Sequence, residues 1–162
     1  MNKTPFNITQ INKIKTRLVQ KKETVAVAES VTTGLLQFAL ALADEATNYF
    51  QGGITTYNLG QKTMHLSVEP IQALACNCVS APVAKQMALN VCNLFKSNWG
   101  VGITGYASPV PESDQKLFCY YAIAHNGKIV AAHRLTGKAN NAYEVQVDYI
   151  NKVLGDFVKV CS

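Results

Sequence analysis

A chain of 162 residues fits one domain and is long enough to bury a core. Hydrophobic residues make up 48% and charged residues only 15%, which excludes a disordered chain. The net charge of +5 raises the question of nucleic acid, but the densest basic group, Lys13, Lys15, Arg17, Lys21 and Lys22, falls on one amphipathic helix and reads as a solvated face. No nucleic-acid-reading motif accompanies the charge, so nucleic acid is not the expected partner. The same modest positive potential suits a small phosphorylated substrate.

In chain order, Asn7 to Lys21 carries Ile8, Ile11, Ile14, Leu18 and Val19 at nearly helical steps and reads as a first amphipathic helix. Thr24–Ala28 is a short β-branched apolar run, a buried strand. The Leu/Ala-rich stretch Leu35–Ala43 is a second helix. Asp44 to Asn48 is a polar connection. Tyr49–Tyr57 reads as a second strand, and its Gly52-Gly53 pair marks a bulge or a close backbone approach. Asn58 caps a short helix, Leu59–Leu66. Ser67 precedes another, Pro70–Ala75, with proline in its first turn. Ser80 and Pro82 start a longer helix that runs to about Lys96. Trp99–Thr104 is a third buried strand, and Val110–Lys116 a polar loop with a proline. Leu117–Ala124 and Lys128–Leu135 are strands joined by His125-Asn126-Gly127, and Asn-Gly between apolar runs signals a hairpin. Gly137–Asn141 turns into a final helix, Ala142–Phe157. This alternation predicts an α/β fold: one domain over residues 1–162, a three-layer α/β/α sandwich with a mixed, partly parallel sheet.

No apolar run is long enough to span a bilayer, and the first residues lack the apolar core of a signal peptide. The expectation is a soluble, cytoplasmic protein. Its five cysteines, Cys76, Cys78, Cys92, Cys119 and Cys161, form no CxxC pair, and Cys76 and Cys78 lack a second pair at zinc spacing. Reduced thiols, no metal and no cofactor are expected.

Four polar residues stand at or just after strand ends: Ser30, Tyr57, Lys62 and Thr104. The carboxyl ends of strands are where ligands bind in open α/β sheets. Ser30 needs a base to become a nucleophile, and none of His65, His125 and His133 sits at a strand end. A lysine serves instead if burial brings its pKa toward neutrality. Tyr57 could orient that lysine, while Thr104 and backbone N–H groups after Ser30 could meet an oxyanion or a substrate amide. Each residue also has an ordinary explanation: an N-cap for Ser30, a surface lysine, a half-buried strand tyrosine and a strand terminator.

Ala28-Glu29-Ser30-Val31-Thr32-Thr33-Gly34-Leu35-Leu36 resembles the A-E-S-C-T-G-G-L-L motif of the CinA C-terminal domain family. Gly53-Ile54-Thr55-Thr56-Tyr57-Asn58-Leu59-Gly60-Gln61-Lys62 is similar to that family's G-x-V-T-Y-S-N-x-x-K. Val79-Ser80, Val83-Ala84 and Met87-Ala88 match a helix start, A-V-S-x-x-V-A-x-x-M-A. Ile103-Thr104-Gly105-Tyr106-Ala107-Ser108-Pro109 looks like V-T-G-I-A-G-P. The family's stand-alone members include nicotinamide-nucleotide amidases, which convert nicotinamide mononucleotide to the carboxylate and ammonia. The resemblance implies the same α/β/α sandwich, often a homo-oligomer, and a metal-independent Ser–Lys mechanism. In it, Ser30 is nucleophile, Lys62 base and Tyr57 helper. Thr104, Gly105, Thr32, Thr33 and Gly34 meet a small nucleotide substrate.

The chain also departs from the family. Val31 replaces its cysteine and Thr33 its first glycine. The glycines of P-G-G-x-x-x-K-P-V-G are gone from Pro109–Phe118, and Ala139 stands at the arginine of G-D-R, losing a bidentate phosphate contact. Two outcomes are compatible with this pattern: an amidase acting on nicotinamide mononucleotide or a related amide, and a non-catalytic paralogue that binds a nucleotide or a partner protein.

Overall fold

The computed structural model describes residues 4–138 and 140–162. Helix α1 spans Ile8–Lys21, and the Asn7 side chain accepts from the Gln10 N–H to cap it. Strand β1, Val25–Glu29, leads through a turn into α2, Leu35–Ala41. Then come β2, Phe50–Thr55, and three helices: α3, Leu59–Leu66, α4, Pro70–Ala75, and α5, Ala81–Phe95. Strands β3, Trp99–Tyr106, β4, Phe118–His125, and β5, Lys128–Thr136, precede α6, Ala142–Val160.

The five strands form one sheet in the order β2-β1-β3-β4-β5. β1 pairs parallel with β2 and β3, while β4 pairs antiparallel with β3 and β5. The fold is α/β with the mixed sheet that the sequence predicts. Helices α1, α2 and α6 pack on one face; α3, α4 and α5 pack on the other.

Strand alternation explains why the two faces differ. Val25, Val27, Val101, Ile103, Tyr121 and Ile123 project into the larger core beneath α1, α2 and α6. Their alternating neighbours are small: Ala26, Ala28, Gly100, Gly102, Ala122 and Ala124. That smooth face lets α5 lie close to the sheet. A Cβ on Gly102 would meet the Ala84 carbonyl oxygen at 2.4 Å and the Ala88 nitrogen at 2.5 Å. The core's contribution is large because each buried apolar side chain supplies roughly 1.5–3 kcal/mol.

Several sequence expectations change in detail. At the glycine pair the close backbone approach holds, since a Cβ on Gly53 would meet the Val27 carbonyl oxygen at 2.6 Å, while the register irregularity falls one residue earlier: Val25 pairs with Phe50 and Ala26 with Gly52, so Gln51 is the extra residue. Within Ser67–Pro70, Glu69 is the residue that caps α4, accepting from the Ile71 and Gln72 N–H groups. Ser67 instead closes α3 in a left-handed conformation. The basic residues of α1 are not all solvated. Arg17 donates to the Val158 carbonyl, and Lys21 Nζ to the Cys161 carbonyl at 3.1 Å. They satisfy the carboxyl end of α6, where positive charge is favourable.

At the end of the sheet where β1 and β3 begin, His125 stacks on Trp99 with ring centroids 3.9 Å apart. Glu23 accepts from Trp99 Nε1 at 2.6 Å and pairs with His125 at 2.9 Å. Burial pushes the Glu23 carboxyl up. The hydrogen bonds from Trp99 and His125 outweigh this and hold it below the usual carboxylate range. No helix among the described residues is long and apolar enough to cross a membrane.

Candidate active site

The parallel strands β1, β2 and β3 end on the same side of the sheet, and each delivers one part of a cavity of about 470 Å³. Ser30 and Val31 follow β1, Tyr57 and Asn58 follow β2, and Thr104 to Ala107 come from the end of β3. Lys62 of α3 and Gln146 of α6 enter from opposite faces.

The turn that presents Ser30 is built by its neighbour. Glu29, the last residue of β1, is fully buried. Its carboxylate accepts from Thr32 Oγ1 at 2.6 Å, the Leu36 N–H at 2.8 Å and the Gln37 N–H at 3.0 Å. Glu29 therefore satisfies orphan donors of α2 and favours its positive end, a job the sequence offered to Ser30. Gly34, with φ +99°, is the N-cap and contributes no side chain. Freed from capping, Ser30 turns its hydroxyl into the cavity. Its backbone N–H donates to the Ile103 carbonyl at 3.1 Å, tying the turn to β3. Gln146 Nε2 donates to the Val31 carbonyl at 2.7 Å and ties the turn to α6.

Lys62 is the decisive group. It is one of the largest buried side chains, 1% exposed, not a surface lysine. Asn58 starts α3 by accepting from the Gln61 N–H, and the helix carries Lys62 back under the sheet edge. Its Nζ donates to Ser30 Oγ at 2.9 Å and to the Thr56 carbonyl at 2.8 Å. No carboxylate hydrogen-bonds to it among the described residues. Burial lowers its pKa below that of an ordinary lysine, since the charged form loses hydration. A Cys78 thiolate would oppose this, but burial pushes that thiol up, against the pull of Lys62. At neutral pH Cys78 thus adds little negative charge to hold the Lys62 proton. With the Thr56 carbonyl fixing one N–H, a neutral Lys62 can aim its lone pair at the Ser30 hydroxyl.

The other predicted residues divide into two groups. Thr104 is buried, and its hydroxyl donates to the Cys78 carbonyl at 2.8 Å. That leaves its oxygen free to accept, not to donate to an oxyanion. Gly105 lines the cavity beside it. A Cβ there would meet Cys119 Cα at 2.5 Å, so β4 itself requires the glycine. Tyr57 lines the mouth at 70% exposure and shares no hydrogen bond with Lys62 or Ser30. The expected orienting role passes to the Thr56 carbonyl.

Thr32, Thr33 and Gly34, expected to meet substrate, do not line the cavity. Thr32 is buried against Glu29, and the Thr33 N–H donates to the Ser30 carbonyl at 3.2 Å, so both build the turn. None of the three histidines lines the cavity either. Lys138 is exposed and away from it, while Ala139 lies outside the described residues. Among the described residues, no cluster of metal-ligating side chains occurs.

Glu29, Thr56 and Gln146 escaped the sequence reading as site-building groups. Glu29 had a usable signal, a carboxylate closing an apolar strand. The Thr56 contribution is a backbone carbonyl, and Gln146 lies 115 residues from its partner, so neither has a local signature.

The sequence profile of the CinA C-terminal domain matches residues 8–159. A "CinA-like protein" of Trichodesmium erythraeum is 40% identical over 115 residues, covering 70% of this chain and 27% of its own length. That of Gloeothece citriformis is 42% identical over 116 residues, covering 70% and 28%. The chain thus spans about a quarter of the length of these curated relatives. Among solved structures, a competence-damaged protein (CinA) superfamily protein from Enterobacter cloacae superposes with a TM-score of 0.90 at 21% identity, over 100% of this chain and 96% of its own. A competence or damage-inducible protein from Enterobacter asburiae gives 0.88 at 19%, over 94% and 96%. These likenesses support the fold. With the profile spanning nearly all of its length, the chain belongs to the CinA C-terminal domain family.

Proposed function

We propose that the chain is a metal-independent amidohydrolase that cleaves a small carboxamide to the carboxylate and ammonia through Ser30 and Lys62. The family resemblance supplies nicotinamide mononucleotide as the first substrate to test. The observation that carries this reading is the buried Lys62 Nζ, 2.9 Å from Ser30 Oγ and hydrogen-bonded to no carboxylate among the described residues.

In the first step, neutral Lys62 takes the Ser30 proton as Oγ attacks the carbonyl carbon of the amide. The C=O π bond opens and its oxygen gains the electron pair. Val31 N–H, beside the nucleophile and without an acceptor among the described residues, is available as a backbone donor for that oxygen. Collapse of the intermediate breaks the C–N bond, and Lys62 returns its proton to the leaving nitrogen, which departs as ammonia. Water then attacks the Ser30 ester with Lys62 again as base, giving the carboxylic acid and free Ser30. Thr104 Oγ1, its own proton committed to Cys78, accepts a hydrogen bond from the amide NH2 before cleavage.

Ammonia release from nicotinamide mononucleotide and from a panel of small carboxamides tests this reading. Release by the wild type and loss in Ser30→Ala supports it. Release unchanged in Ser30→Ala overturns it, and no release from any amide favours a non-catalytic binding role.

A further inference from the structure

Among the described residues, Lys62 is the one basic side chain that lines the cavity, and the proposed reaction uses it neutral and buried beside Ser30. Glu112 is the one acidic side chain that lines it among the described residues. Glu112 sits in the short 3-10 turn Pro111–Ser113, and that turn is fixed from within. The buried Ser113 donates both its N–H, at 3.2 Å, and its hydroxyl, at 3.1 Å, to the Val110 carbonyl. No ion-pair partner neutralises Glu112 among the described residues. The nearest lysine in sequence, Lys116, faces Asp114 instead, at 3.8 Å.

The cavity rim therefore carries a carboxylate with no ion-pair partner among the described residues. The amino end of α6 reaches it through Ala142, but Asn141 already caps that turn and Glu144 adds a further acid there. Tyr57 and Tyr106 also line the cavity, and the Tyr106 hydroxyl accepts from Asn77 Nδ2 at 3.0 Å. An aromatic wall with a nearby carboxylate suits a flat ring that is neutral or cationic. A dianionic phosphate in the same space meets repulsion from Glu112, while the Nζ of Lys62 is committed to Ser30 Oγ and the Thr56 carbonyl.

We infer that the cavity takes a carboxamide without a phosphate, on a neutral or positively charged ring, and that Glu112 sets this preference. The inference rests on the amidase reading only for the carboxamide. The charge argument concerns binding and is tested separately from turnover.

Nicotinamide riboside and nicotinamide mononucleotide are a suitable pair, since they differ only by the phosphate. Calorimetric titration of Ser30→Ala protein, whose fold is checked by thermal melting, gives the two Kd values without turnover. The expected result is binding of the riboside about tenfold tighter than the nucleotide, as one carboxylate against a phosphate a few ångströms away predicts in a partly hydrated site. The ratio should shrink in 1 M salt, where screening is nearly complete. It should fall about tenfold or reverse in the doubly substituted Ser30→Ala, Glu112→Lys protein, whose second change lies on the exposed rim. Equal or tighter binding of the nucleotide overturns the inference, and so does binding of neither. Preference for the riboside with no ammonia release by the wild type sinks the amidase reading and leaves this one standing.

Discussion

Replacing Lys62 by methionine separates chemistry from architecture. The buried stem keeps most of its volume, but the two donations to Ser30 Oγ and the Thr56 carbonyl are lost. A buried carbonyl left without a donor costs about 1–3 kcal/mol. Ser30 faces the cavity, where water can replace the missing partner. Against this cost, the wild type holds an amine whose charged form is disfavoured by burial, and methionine removes that penalty. The two effects oppose each other, so stability at neutral pH should change by no more than about 2 kcal/mol. Amidase activity should fall by about 10²–10⁴-fold, the usual contribution of a positioned base.

Lys62→Met also removes a pH signature. The Lys62 pKa is lower in the folded chain than in the unfolded one, so between those values the unfolded state binds more protons. Wild-type stability should therefore gain a rising contribution as pH climbs through the folded pKa toward that of an ordinary lysine. Lys62→Met should lack it. Urea denaturation from pH 7 to 10, alongside ammonia release, measures both. A variant that keeps its activity would refute the reasoning. So would one that unfolds at pH 7 while a wild-type stability curve shows no lysine contribution.

Three further outcomes follow from the same geometry. The pH profile of kcat/KM should rise on a single basic limb with its midpoint below the ordinary lysine value, because protonated Lys62 cannot accept the Ser30 proton; a profile that falls as pH rises through that region would contradict it. Glu29→Ala should lose about 2–4 kcal/mol in chemical denaturation, since Thr32 Oγ1 and two amino-terminal N–H groups of α2 lose their acceptor in a dry site; a loss under about 0.5 kcal/mol would remove Glu29 as the turn's anchor. Gly102→Ala should destabilise by about 1–3 kcal/mol or more, because α5 must move off the sheet to admit a methyl group; an unchanged melting midpoint would show that the small-residue face does not set the α5 distance.

Much of the fold was legible in the sequence because local signals agreed with tertiary ones. Asn126 and Gly127 take the left-handed φ values, +47° and +80°, that a tight hairpin requires, and β4 and β5 pair across them. Asn58, Ser80 and Asn141 cap helices through their own side chains, as short polar residues before apolar runs do. Where two candidates competed for one task, sequence order was a poor guide. Glu29 reached over Ser30 to serve α2.

At the candidate site, the sequence offered Ser30 at a strand end and Lys62 on the following helix as candidates; their 2.9 Å approach depends on how deep α3 lies, which no local pattern encodes. The same holds for Gln146, whose use is fixed by where α6 docks. Thr33 and Gly34 follow Ser30 closely in sequence but do not line the cavity.

The most direct test is ammonia release by the purified wild type beside Ser30→Ala, with nicotinamide riboside, nicotinamide mononucleotide and simple carboxamides as substrates. Release that disappears in Ser30→Ala, while the variant melts at an unchanged temperature, is the predicted result. Equal release by both proteins would contradict Ser30 as the nucleophile and with it the Ser30–Lys62 account.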